Sequence, residues 1–137
     1  MFGIIFLRTE NIFDTYNNKI TKDLIMNGSV SYPYNAPKNV LSEISQKVNE
    51  LKICELPNNI ISDPDSNGIT MSITPNNTFS IKFTIDGKEY FVSGDSTTDF
   101  VQTDEAKRLC AFRDYLKQIM YNTPEYKALP EASGAYQ

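Results

Sequence analysis

The amino-acid sequence predicts an α+β protein, an antiparallel β-sheet with two amphipathic helices packed on one face as a two-layer sandwich. Three observations carry this prediction. Residues 69–93 alternate apolar and polar side chains around turn signals. Residues 36–53 and 104–121 instead repeat apolar residues at helical spacing. Residues 1–34 read as a strand followed by a hairpin. A length of 137 residues suits one core, so the whole chain, 1–137, is expected to be a single domain, with 122–137 as its tail.

The first element is "FGIIFLRT" (2–9), a short apolar run with the look of a buried strand. The run is too short for a signal peptide, has no basic region before it, and is followed by no small-residue cleavage site. "ENIFDTYNNK" is polar and turn-prone, with Ile12, Phe13 and Tyr16 expected to pack. "KITKDLIMNGSVSYPY" reads as a hairpin. Ile20, Leu24 and Met26 alternate, Asn27-Gly28 fits a two-residue turn, and Val30, Tyr32 and Tyr34 line the return strand. Pro33 cannot donate to a ladder, so that strand is expected to be an edge or to end there.

In the first helix Pro37 suits the first turn, and Val40, Leu41, Ile44, Val48 and Leu51 form the apolar stripe. Leu56-Pro57 closes the segment, and "PNNIISDPDSNG" (57–68) is a loop. The meander consists of "ITMSITP", "TFSIKFTI" and "KEYFVSG", with Asp86-Gly87 as the second turn. In the second helix Asp104 and Glu105 favour the start, and Leu109, Phe112, Leu116, Ile119 and Met120 make the buried stripe. Thr123 and Pro124 are placed to cap and begin one further turn.

Composition narrows the chemistry more than the fold does. The chain has no histidine, which removes Ser–His–Asp and Cys–His catalysis and the commonest zinc ligand. Two cysteines, Cys54 and Cys110, are too few for a disulfide framework or a four-thiolate metal site; they form one bridge or none. The net charge of −4 argues against phosphate-directed nucleic-acid binding and favours a basic partner. No run approaches the roughly 18 apolar residues that a helical membrane span needs. The compartment is cytoplasmic if Met1 is the native start and secreted if a leader has been removed.

"DPDSNGI" (63–69) begins like a calcium loop, with Asp63, Asp65, Asn67 and Gly68 at the required spacing. The twelfth position is Thr74, which cannot supply the bidentate carboxylate, and a strand rather than a helix is expected to follow. An Asx-rich turn is the preferred reading, and a looser calcium loop completed by Asp95 or Asp99 stays open. "GDSTTD" (94–99) resembles the Gly-Asp-Ser block of some esterases but has no histidine base to activate the serine. Asp95, Asp99, Asp104 and Glu105 would form an acidic patch if the loop projects. "YPYNAP" (32–37) offers Tyr32 and Tyr34 as aromatic anchors for an interface, or as packing for the strand end. Phosphate loops, dinucleotide fingerprints and Cys–Cys metal pairs are absent from the sequence.

The order of elements resembles emfourin-type protease inhibitors and similar small bacterial α+β domains, on "GIIFLRTEN", "LIMNGSVSY", "VLSEISQKVNEL" and "ITMSITPNNTFSIKFTIDGKEYFV". The glycine pair that follows the first strand in emfourins is replaced by "RTENIF", and no functional residue is carried over. The resemblance implies a noncatalytic domain that binds a protein. The expected function is therefore an inhibitor or immunity-type factor, without catalytic residues, metal or cofactor. It would act by occlusion through Tyr32, Tyr34, Asp95 and Asp99. The alternative is a small-ligand binder, in which Tyr and Phe stack a ring while Arg8, Arg108 and Arg113 meet phosphates.

Overall fold

Alternation of apolar residues generates the sheet. In the computed structural model, which describes residues 2–8, 11–23, 28–60, 78–101 and 103–128, β1 (Gly3–Arg8) buries Ile4 and Phe6 and turns the residues between them to the other face. β2 (Asn11–Asp14), β3 (Lys19–Asp23) and β4 (Ser29–Pro33) follow as an antiparallel series on one side of it. β6 (Thr78–Ile85) and β7 (Lys88–Asp95) form a hairpin on the other side, and the two-residue strand β5 (Asn59–Ile60) runs parallel to β7. The sheet order is β4-β3-β2-β1-β6-β7-β5.

Register draws one apolar row across five strands. Ile20 pairs with Phe13, Phe13 with Phe6, Phe6 with Ile81, and Ile81 with Val92. All five are at most 2% exposed. Two helices cover this face: α1 (Lys38–Glu50) through Ile44 and Val48, and α2 (Asp104–Asn122) through Ala106, Leu109, Phe112, Leu116 and Met120. A short α3 (Pro124–Ala128) follows α2, and the Thr123 hydroxyl accepts from the Tyr126 N–H at 3.2 Å, as the sequence predicts. The α+β two-layer architecture read from the sequence is the one observed. No helix among the described residues is long and apolar enough to cross a membrane.

Several local expectations are corrected. The "NIFD" stretch, read as part of a turn-prone segment, is β2, because its Phe13 completes the row between Phe6 and Ile20. The first hairpin pairs Asp23 with Ser29, whereas a two-residue Asn27-Gly28 turn would pair Asp23 with Tyr32. Its loop is therefore longer; Gly28 has the positive φ (76°) expected of a turn glycine. Pro37 caps α1 in an extended conformation (φ −60°, ψ 151°), so the helix begins one residue later. It ends at Glu50, since Lys52 is left-handed (φ 52°) and Ile53–Glu55 form a 3-10 turn.

Of the meander, the β6–β7 hairpin forms as read: Ile85 faces Lys88, and Asp86 (φ 51°) and Gly87 (φ 79°) both take the positive angles of a tight turn. β6 lies between β1 and β7 in the sheet. The segment "ITMSITP" itself, and the calcium-loop candidate at Asp63, Asp65 and Asn67, lie outside the described residues.

Candidate interaction site at the β4 edge and the 94–99 loop

β4 is the last strand on its side of the sheet and, among the described residues, pairs with β3 alone. Pro33 at its end supplies no N–H, in keeping with the edge position expected of it. An edge strand turns alternate N–H and C=O groups outward, where another chain can pair with them. Tyr32 stands on this edge at 43% exposure.

Tyr34, read beside Tyr32 as a contact, is a core residue. Its N–H donates to the Asn18 carbonyl at 2.8 Å, its ring packs on Phe13 at 5.7 Å between centroids, and only 6% is exposed. Burial first, and then the Glu125 carboxylate, pushes its phenol above the ordinary range. Tyr32 pairs with buried Ile20 and so shares the face that Tyr34 also packs on; the two tyrosines differ in how far they are covered, not in the side they face.

The 94–99 loop is built around Gly94. A Cβ there would lie 2.5 Å from the Thr98 hydroxyl and 2.8 Å from the Phe79 ring. Its absence lets fully buried Thr98 donate to the Ile60 carbonyl at 2.5 Å while accepting from the Asp95 N–H at 2.9 Å. One hydroxyl thus ties β5 to the end of β7. Asp95 Oδ1 accepts from the N–H (2.8 Å) and hydroxyl (2.6 Å) of Thr97, an Asx turn that leads into the 3-10 turn Thr98–Phe100.

Asp99 grips Arg113 with both oxygens, at 3.1 and 2.8 Å. Arg113 also donates from Nε to Asp114 at 3.0 Å, lies over the Phe79 ring at 5.3 Å, and has a side chain only 11% exposed. The Arg113 hydrogen bonds, outweighing burial, hold the Asp99 carboxyl below its ordinary value. Arg108 answers the other two acids, 2.9 Å from Asp104 and 4.0 Å from Glu105. Its Nη1 donates to the Leu51 and Lys52 carbonyls at the end of α1, while Nε meets Asp104 as an ion pair without an aligned hydrogen bond.

The four acids read as a projecting patch are thus satisfied locally: Asp99, Asp104 and Glu105 by arginines of α2 and Asp95 by Thr97. The partners were visible in part, since Arg108 follows Asp104 and Glu105 at helical spacing. The Asp99–Arg113 pair, 14 residues apart, carried no such signal. Of the three arginines read as phosphate ligands, Arg108 is committed to the end of α1 and is not among the residues lining the cleft that Arg8 and Arg113 share.

The Asp99–Arg113 pair makes stability depend on acid. Because the folded pKa is depressed, the contribution is complete above the ordinary value of 3.8 and is lost as pH falls through the lower folded value. Asp99→Asn is expected to melt below wild type at pH 7, with the gap closing below about pH 4. A constant gap down to pH 2 would refute this.

Cys54 and Cys110 are free, Cys54 exposed and Cys110 half-buried. Burial pushes the Cys110 thiol up to about 11. At pH 8 a thiol-reactive chromophore is expected to label Cys54 quickly and Cys110 far more slowly. Two equally fast phases would contradict that order.

Among the described residues no cluster of His, Cys, Asp or Glu is disposed to hold a metal ion. No protein-family model matches this chain, and no curated protein matches it.

Proposed function

We propose that the protein is a noncatalytic inhibitor or immunity-type factor that binds another protein and occludes its site. The observation that carries this reading is the β4 edge, a row of outward backbone groups beside the half-exposed ring of Tyr32. An extended segment of a partner would add to β4 as a further strand, with backbone hydrogen bonds supplying affinity and Tyr32 anchoring a side-chain pocket. The net charge of −4 would speed encounter with a basic partner. Asp95 and Asp99 lie on the far side of the sheet, at and beyond the end of β7, so of the expected contact residues Tyr32 alone stands on this edge.

The resemblance to emfourin-type inhibitors directs the test to proteases. The chain is titrated against a panel of serine and metallo-proteases, and residual peptidase activity is followed. At least one enzyme should be inhibited without consuming the chain, and Tyr32→Ala should weaken that inhibition by roughly tenfold or more. Lack of inhibition throughout the panel, or an unimpaired Tyr32→Ala, would count against the proposal.

A further inference from the structure

Three cations converge at the end of the sheet opposite the β6–β7 turn, for reasons of register and helical spacing. Arg8, the last residue of β1, pairs with Phe79. Arg113 lies over the Phe79 ring from α2. Lys117 follows Arg113 by four residues, one helical turn along the same face of α2. The three line a cleft of about 110 Å3 together with the hydroxyl residues Thr78 and Ser96 and the acids Asp95 and Asp99.

The charges in this cleft are unequally matched. Arg113 is held by Asp99 and Asp114, and Asp95 turns Oδ1 toward Thr97. Arg8 and Lys117 have no ion pair or side-chain hydrogen bond among the described residues. Burial and then the Arg8 charge hold the Lys117 amine below its ordinary range, as expected of two cations facing one space.

We infer that this cleft is an anion site that takes a phosphate group, held between the Arg8 guanidinium and the Lys117 ammonium with the Thr78 hydroxyl beside them. The cleft is small and lined mainly by polar and charged side chains, with room for a tetrahedral oxyanion. The guanidinium presents paired donors to two oxygens of such a group, and the ammonium acts as a point charge on a third. Arg113, already committed to two carboxylates, forms the wall and keeps Phe79 covered.

The ligand is either free phosphate or the phosphate of a small monoester, and titration calorimetry on the full chain separates them. Inorganic phosphate and O-phosphoserine are titrated at low salt into wild type, Lys117→Gln, Arg8→Gln and the control Lys88→Gln, which lies at the opposite end of the sheet. Lys117 is half-buried and without an ion-pair partner among the described residues, so its removal orphans no charge, and thermal melts establish that each variant is folded. Wild type should bind at least one of the two anions. Lys117→Gln and Arg8→Gln should each lose roughly tenfold or more in affinity, and Lys88→Gln should match wild type. Tighter binding of O-phosphoserine assigns the site to a monoester; equal or weaker binding assigns it to free phosphate. Absence of binding by both anions to wild type, or an unchanged Kd in folded Lys117→Gln, overturns the inference.

Discussion

Phe6→Ala is expected to cost about 3–5 kcal/mol, the range for emptying a phenylalanine site in a close-packed core. Phe6 is fully buried at the middle of the row Ile20–Phe13–Phe6–Ile81–Val92, so both neighbouring strands lose a contact and α1 and α2 lose part of the surface they cover. A loss of that size is a large share of the ~5–15 kcal/mol by which domains are stable, and it should lower Tm by roughly 10–20 °C. Leu7, its neighbour on the face opposite α1 and α2, is only half-buried, and Leu7→Ala should cost well under half as much. Urea denaturation of the two variants checks this. Equal losses would mean that the helices do not cover the face carrying Phe6.

Thr98→Val should be the second most damaging change, at about 2–4 kcal/mol. The substitution keeps the volume and removes the hydroxyl, so the Ile60 carbonyl and the Asp95 N–H both lose their bond to a fully buried side chain. The loss falls where β5 joins the sheet by only two residues, so hydrogen exchange should show Asn59 and Ile60 opening before the rest. Gly94→Ala strains the same junction from the other side, by driving a methyl group against Thr98 and Phe79. A Thr98→Val protein within about 0.5 kcal/mol of wild type would show that this hydroxyl does not hold the junction.

The elements that were legible in the sequence are those with local causes. The apolar stripes of α1 and α2, the alternation of β6 and β7, the Asp86-Gly87 turn and the edge position of Pro33 all follow from spacing within a few residues. β2 escaped because two of its four residues, Asn11 and Asp14, are buried polar side chains; Asp14 accepts from the N–H and amide of Asn17 and so reads as a turn former. β5 escaped because two residues carry no periodicity and its pairing lies 34 positions away in β7. In the site, the sequence marked Tyr32 and the acids of the 94–99 loop. It did not reveal that Arg113 neutralises Asp99, that Tyr34 is covered, or that Arg8 and Lys117 share a cleft. Each of these depends on which strands become neighbours, a property of the whole sheet.

The account rests most directly on β4 having an open edge, and amide hydrogen exchange of the free chain measures it. Residues of β1 are paired on both sides and should exchange only through large-scale opening. A peptide covering Ser29–Pro33 should show about half of its amides exchanging as fast as unpaired ones, since alternate N–H groups of an antiparallel edge strand point away from its single neighbour. Protection across β4 equal to that of β1 would mean that the edge is already occupied, and would contradict strand addition as the binding mode.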